Sequence, residues 1–397
     1  MRRSLLVSAL LLAACGTEAP TDPTLPFAPA GPTAAPDPSK PGPFPVGVTT
    51  VTLQDPSRKD KDGNPRPLVT EIWYPATDAA KGKPGASYDI RSLMTPEELA
   101  EIQGITVPIL HTFAVRDAPP RLLSAPYPLV IFSHGKDAVR WQSTFYTVTL
   151  ASHGYVVAAP DHTGDLLADV LHGANPLGAA STAQSFWDRA LDVEFLITHF
   201  TSLAQGDPLY GMIDGAKVGV TGHSFGGLTS LRVAAQDSRV KAIVPMAPAS
   251  ADLAFIDMPT GYTLSTPTLL EAAHADKTLP WDQNAAPTWK RLSGPRGLLD
   301  ITNAGHFTFS DLCSFDLTDV AQKVGSNLAP GVDVGKALSD GCLPPAPPAS
   351  VAHPIIDFFA IGFFNWQLRG SSGSKALLTQ AHADALAKNV AVFTNAF

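Results

Sequence analysis

Apolar residues in this chain gather in short runs rich in Val, Ile, Leu and Ala, and these alternate with longer stretches whose apolar positions recur at helical spacing. Pro128 to Ser133, Ala216 to Thr221, Arg239 to Met246, Thr266 to Ala273 and Gly297 to Asn303 read as strands. Trp187 to Phe200, Leu228 to Gln236 and Pro354 to Leu368 read as helices that pack on a sheet. This alternation predicts an α/β fold, with a mostly parallel central sheet and helices on both faces. Two insertions interrupt it, near 88–124 and 163–184, each placed to roof a pocket. Within them Met94, Leu110, Phe113, Leu166 and Leu167 are expected to fill space.

The ends of the pattern divide the chain. Arg2-Arg3, an apolar run from Leu5 and Leu12-Ala13-Ala14-Cys15 form a charged head and hydrophobic body, the make-up of an export signal over residues 1–14. The run is too short to span a bilayer, which takes about 20 apolar residues. Its last four residues look like a bacterial lipobox, with cleavage before Cys15 and a lipid on its thiol. Residues 15–44, dense in Pro, Ala and Thr, cannot build a core and read as a linker, leaving 45–397 as one domain. An exported, membrane-anchored lipoprotein is the expectation. Its 45% hydrophobic residues suffice for a large core, and a net charge of −8 argues against nucleic-acid binding. In an oxidising compartment Cys313 and Cys342 are expected to pair.

The chemistry concentrates at Gly222-His223-Ser224-Phe225-Gly226-Gly227, between a strand and a helix. This is the pattern of a nucleophile elbow, in which a sharp turn exposes a serine and the glycines beside it make room. Ser224 needs a base oriented by an acid, in the chain order Ser, Asp, His. Asp276 follows the second later strand and His306 the third, in Asn303-Ala304-Gly305-His306. Asp252, Asp257 and Asp282 are the nearby alternatives to Asp276 and read as solvated loop carboxylates. An oxyanion takes two backbone donors: Phe225, after the nucleophile, and Lys136, in the loop Ser133-His134-Gly135-Lys136. His134 reads as a structural residue that orients this loop.

These residues carry a resemblance. Pro45-Val46-Gly47, Trp73-Tyr74-Pro75, Phe132-Ser133-His134-Gly135, Leu150 to Ala159 and Gly222 to Gly227 are similar, in order and spacing, to the platelet-activating-factor acetylhydrolase family of α/β-hydrolases, plasma and intracellular type II, and to bacterial dienelactone-hydrolase-like proteins. The resemblance implies an α/β-hydrolase fold and a serine esterase acting on short-acyl carboxylic or phospholipid esters. In the mammalian members the acid follows the strand just after the elbow helix, whereas Met246-Ala247-Pro248-Ala249 has no carboxylate there. The acid at Asp276 instead resembles general carboxylesterases, cutinases and dienelactone hydrolases. A non-catalytic binding lipoprotein would show a broken triad.

Other constellations do not cohere. His153, Asp161, His162 and Asp165 lack the spacing of metal ligands. No phosphate-loop or dinucleotide glycine pattern occurs, so neither metal nor organic cofactor is expected. The expected partners are a small ester or lipid substrate and the membrane surface, with the oligomeric state left open.

Overall fold

The structure, a computed structural model, describes residues 36–122, 126–173, 179–323 and 333–397. Ten strands make one sheet: β1 (Val46–Lys59), β2 (Pro65–Pro75), β3 (Val115–Arg116), β4 (Tyr127–Ser133), β5 (Val156–Pro160), β6 (Ile213–His223), β7 (Val240–Met246), β8 (Thr268–Ala273), β9 (Arg296–Ile301) and β10 (Ala391–Ala396). Their order across the sheet is β10-β9-β8-β7-β6-β4-β5-β2-β1-β3. The six central strands, β5 to β9 with β4, run parallel. β2 is antiparallel to β5, β1 to β2, and β10 to β9.

The central strands are mostly apolar because both faces are covered. On β4, Leu129 and Ile131 enter one core while Val130 and Phe132 enter the other, as the two-residue period of a strand requires. Helices α1 (Thr144–Ser152) and α4 (Ala349–Arg369) cover the second of these cores. Helices α2 (Ala179–Phe200) and α3 (Phe225–Gln236) cover the first. The expected α/β architecture is present, with β2 and β10 antiparallel to their central neighbours and β3 pairing parallel with β1 at one edge.

Two helices begin earlier than the apolar spacing indicates. α2 starts at Ala179 rather than Trp187, because its first turns hold small and polar residues that carry no stripe. α4 starts at Ala349, so Pro354 lies inside it. Pro354 is in the second turn, past the free first-turn amides, so it omits one bond, to the Ser350 carbonyl.

The insertions pack on one another. Ile102 meets Leu317, Val320 and Leu338. Met94 and Leu167 line an apolar cavity of about 50 Å³ with Ile90, Ile102, Val107, Leu171 and Val320. Leu110 is buried in the core beside Tyr88, and Phe113 is 47% exposed. The bridge from Ala138 to Leu166 ties the second insertion to the loop after β4. Cys15 and the signal lie outside the described residues.

Candidate active site

Strand β6 ends at His223, and Ser224 then takes φ 57° and ψ −115°, a backbone that a residue with a Cβ rarely adopts. The strain is held by two main-chain bonds. Ser224 donates to the carbonyl of Met246 at the end of β7 (2.9 Å), and its own carbonyl accepts from Leu228 as α3 begins (3.0 Å). The flanking glycines are sterically required. A Cβ on Gly222 would lie 2.4 Å from the Ser133 carbonyl oxygen, and one on Gly226 would lie 1.8 Å from it. The end of β4 is therefore pressed against the elbow.

Loops after β8 and β9 bring two side chains to the serine. His306 Nε2 is 2.8 Å from Ser224 Oγ, and His306 Nδ1 is 2.7 Å from Asp276 Oδ2. Asp276 Oδ1 accepts from the Leu279 amide (2.6 Å), which fixes the carboxylate in its turn. Asp276 and His306 are buried, while Ser224 is partly exposed. Asp282 is exposed, as expected of a solvated loop carboxylate, and the other two alternative acids are engaged elsewhere. Asp257 pairs bidentately with Arg232 at 3.0 Å, and Asp252 with Arg291, so neither is merely solvated as the sequence suggested. No carboxylate besides Asp276 hydrogen-bonds the His306 ring among the described residues.

A second acid, Asp340, shapes this arrangement without touching the ring. Its Oδ1 accepts from the amides of His306 (3.1 Å) and Lys277 (3.1 Å), and its Oδ2 from the amide and hydroxyl of Thr278 (2.9 and 2.7 Å). Burial works to raise the Asp340 pKa, but these donors outweigh it and hold the carboxyl below its ordinary value. Asp340 thereby joins the turn carrying the acid to the turn carrying the base. Two residues on, Cys342 is bonded to Cys313, as the sequence suggested.

On the other side of Ser224, Lys136 contributes its backbone. Its ammonium is taken by Asp165 (2.9 Å) and Asp137 (3.2 Å). Its amide and that of Phe225, the first residue of α3, have no partner among the described residues. The direction of the Lys136 N–H follows from the carbonyl of the same peptide, which points the opposite way. That carbonyl, of Gly135, is held by His134 Nδ1 (2.7 Å) and by Arg189 Nη2 (2.9 Å). Arg189 is fully buried, also bonds Asp165 and the His134 carbonyl, and lies over the Phe225 ring at 4.8 Å. His134 is kept neutral, its pKa pushed well down by burial and then by the Arg189 charge.

His162 lies below this loop, between Ser133 Oγ and Asp192, with all three fully buried. It repeats the residue types of the first array, but water and substrate cannot reach it. Among the described residues no group of His, Cys, Asp or Glu could hold a metal. The larger cavity, about 520 Å³ between Phe44, Ala80 and Phe113, is lined by none of the residues bonded to Ser224. Arg189, Asp340 and Gln142, which accepts from the Gly135 amide (2.6 Å), carry no local sequence signal. Only the fold assembles them.

The arrangement is one for acyl transfer: a hydroxyl on a base, the base on an acid, and two free amides beside them. Comparison with known proteins agrees. The PET hydrolase-like family matches residues 124–324, just over half the chain. Platelet-activating factor acetylhydrolase, isoform II, matches residues 38–169. The guinea-pig (Cavia porcellus) platelet-activating factor acetylhydrolase is 28% identical over 152 residues, 31% of this chain and 35% of that protein. Cutinase est1 of Thermobifida alba is 27% identical over 183 residues, 46% of this chain and 54% of its own length. The chain thus spans about a third to a half of these curated relatives. A solved ferulic acid esterase from Streptomyces cinnamoneus superposes with a TM-score of 0.64 at 26% identity, covering 89% of this chain and 97% of that one.

Proposed function

Because this chain belongs to the PET hydrolase-like family and has an α/β-hydrolase fold, we propose that it is a serine carboxylesterase, exported and held at a membrane by a lipid on Cys15. The observation that carries the proposal is the hydrogen-bonded chain from Ser224 through His306 to Asp276.

In this reading Ser224 Oγ attacks the ester carbonyl as its proton passes to His306 Nε2. Asp276 steadies the imidazolium through Nδ1–H, and the Phe225 and Lys136 amides receive the oxyanion. The C–O bond to the leaving alcohol breaks as His306 returns the proton to it, leaving an acyl ester on Ser224. Water, deprotonated by His306, releases the acid and regenerates the serine.

Simple carboxylic esters, including those of polyesters, are the first substrate class. The PET hydrolase-like match contains Ser224, Asp276 and His306, whereas the acetylhydrolase match ends at residue 169 and contains only the Lys136 loop. Short-acyl phospholipids are the second class, favoured by that match and by tethering at a lipid surface. A turnover panel of p-nitrophenyl acetate and butyrate, a polyester film and an acetyl-phospholipid, with Ser224→Ala as control, tests both. Turnover of the simple esters, abolished by Ser224→Ala, is expected; selectivity for the phospholipid would reverse the order. Cys15→Ala should move the protein from the membrane fraction to the soluble one.

A further inference from the structure

We infer that Gln142 is a positioning residue that sets the spacing between the oxyanion loop, the nucleophile and the base; this rests on Ser224 being the nucleophile of an esterase. Its side chain is half-buried and joins the oxyanion loop to the residue before the nucleophile, which in turn reaches the base segment. Oε1 accepts the Gly135 N–H at 2.6 Å, and Nε2 lies 2.6 Å from His223 Nδ1. His223 Nε2 lies 2.8 Å from the carbonyl oxygen of His306.

The direction of every bond in this relay is determined. Gly135 N–H can only donate, so the amide oxygen of Gln142 faces it and the NH₂ faces His223. His223 Nδ1 must then accept, which puts the ring proton on Nε2, where the His306 carbonyl is waiting for a donor. One neutral tautomer satisfies all three bonds. Burial, and the neighbouring His306, push the His223 pKa well below its ordinary value, so the ring stays in that state.

Each end of the relay is covalently next to a reacting group. Gly135 precedes Lys136, His223 precedes Ser224, and the last acceptor is His306 itself. The backbone of Gln142 is anchored too: its carbonyl accepts from Asp311 N–H (2.9 Å), five residues past the base. Asp311 in turn takes the hydroxyl of Thr144 at the start of α1 (2.7 Å). Gln142 therefore grips the base segment through its main chain and the other two through its side chain. Reacting atoms displaced by about 1 Å can lose about 100-fold in rate, so loosening this bridge should appear in turnover rather than in binding.

The test compares the full chain with Gln142→Leu, Gln142→Glu and Ser224→Ala. Kcat and KM on p-nitrophenyl butyrate, Tm, and the ¹⁵N resonances of the His223 ring are measured across pH. We expect kcat to fall about 10- to 100-fold in both Gln142 variants, with KM within about twofold and Tm little changed. Gln142→Glu matches the size of the parent side chain, but its carboxylate gives nothing to Nδ1. Its activity relative to the parent should recover as the pH falls and the carboxyl regains a proton to donate, while Gln142→Leu should show no recovery. In the parent, the His223 proton should sit on Nε2.

A parent ring protonated on Nδ1, kcat within twofold of the parent in both variants, or equal loss in both at every pH would overturn the inference. If the parent turns over no more ester than Ser224→Ala, the esterase reading fails instead. The ring resonances, which need no turnover, still decide whether the relay exists.

Discussion

Asp276 divides its two oxygens between His306 Nδ1 and the Leu279 amide, and this makes its charge hard to replace. In Asp276→Asn the amide oxygen is expected to stay on Leu279 and the NH₂ to face Nδ1, forcing the ring proton onto Nε2, where it blocks acceptance from Ser224. Turnover of a soluble ester should drop about 10⁴-fold while the melting curve hardly moves. A drop under tenfold would show that another carboxylate orients the ring. Ser224, Asp276 and His306 were legible in the sequence because each sits just past an apolar strand, in a turn whose residues announce it. Asp340 and Arg189 were not. Asp340 lies 34 residues beyond His306 with no strand before it, and Arg189 reads as one more polar position on a helix until the fold buries it against the Gly135 carbonyl.

Elements carry their information unevenly. The central strands announced themselves because a strand covered on both faces reads as a mostly continuous apolar run. Strands β1 and β2, toward one side of the sheet, did so less clearly, and no periodicity shows that they run antiparallel to each other. The starts of α2 and α4 were missed because their first turns hold mostly small or polar residues that make no apolar stripe. The pairing of Cys313 with Cys342 was anticipated from compartment and count, but its place was not: it fastens the segment after His306 to the one carrying Asp340. Cys313→Ala with Cys342→Ala should cost about 3–4 kcal/mol of unfolding free energy by loop closure alone. Because Asp340 then loosens, kcat should fall as well. Denaturant titration beside ester turnover checks both; lost stability with unchanged kcat would confine the bond to a structural role.

At the scale of the whole molecule, one face of the sheet carries a cost. Glu271 on β8 is fully buried, neither oxygen has a partner among the described residues, and its charge would act on Asp357 of α4 and Tyr146 of α1. Burial, then the Asp357 charge, push its pKa well above the ordinary value. The folded protein thus keeps a proton that the unfolded chain releases above about pH 4.3. The stability this group contributes is complete below that pH and is lost as pH rises toward the folded pKa, by about 1.4 kcal/mol per unit. Glu271→Met should therefore gain on the parent steadily from pH 5 to pH 8 in urea titrations; a pH-independent difference would mean that Glu271 is charged in the fold.

No helix among the described residues is long and apolar enough to cross a membrane, so the proposed attachment rests on Cys15 and the spacer after it. In the proposed mechanism Ser224 carries the acyl group between two half-reactions, and it can be caught there. The protein is mixed with p-nitrophenyl acetate, quenched in acid during turnover, digested and weighed. One acetyl group is expected on the peptide containing Ser224, and none in Ser224→Ala. Turnover that persists in Ser224→Ala, or an acetyl group trapped on a different residue, would contradict this mechanism.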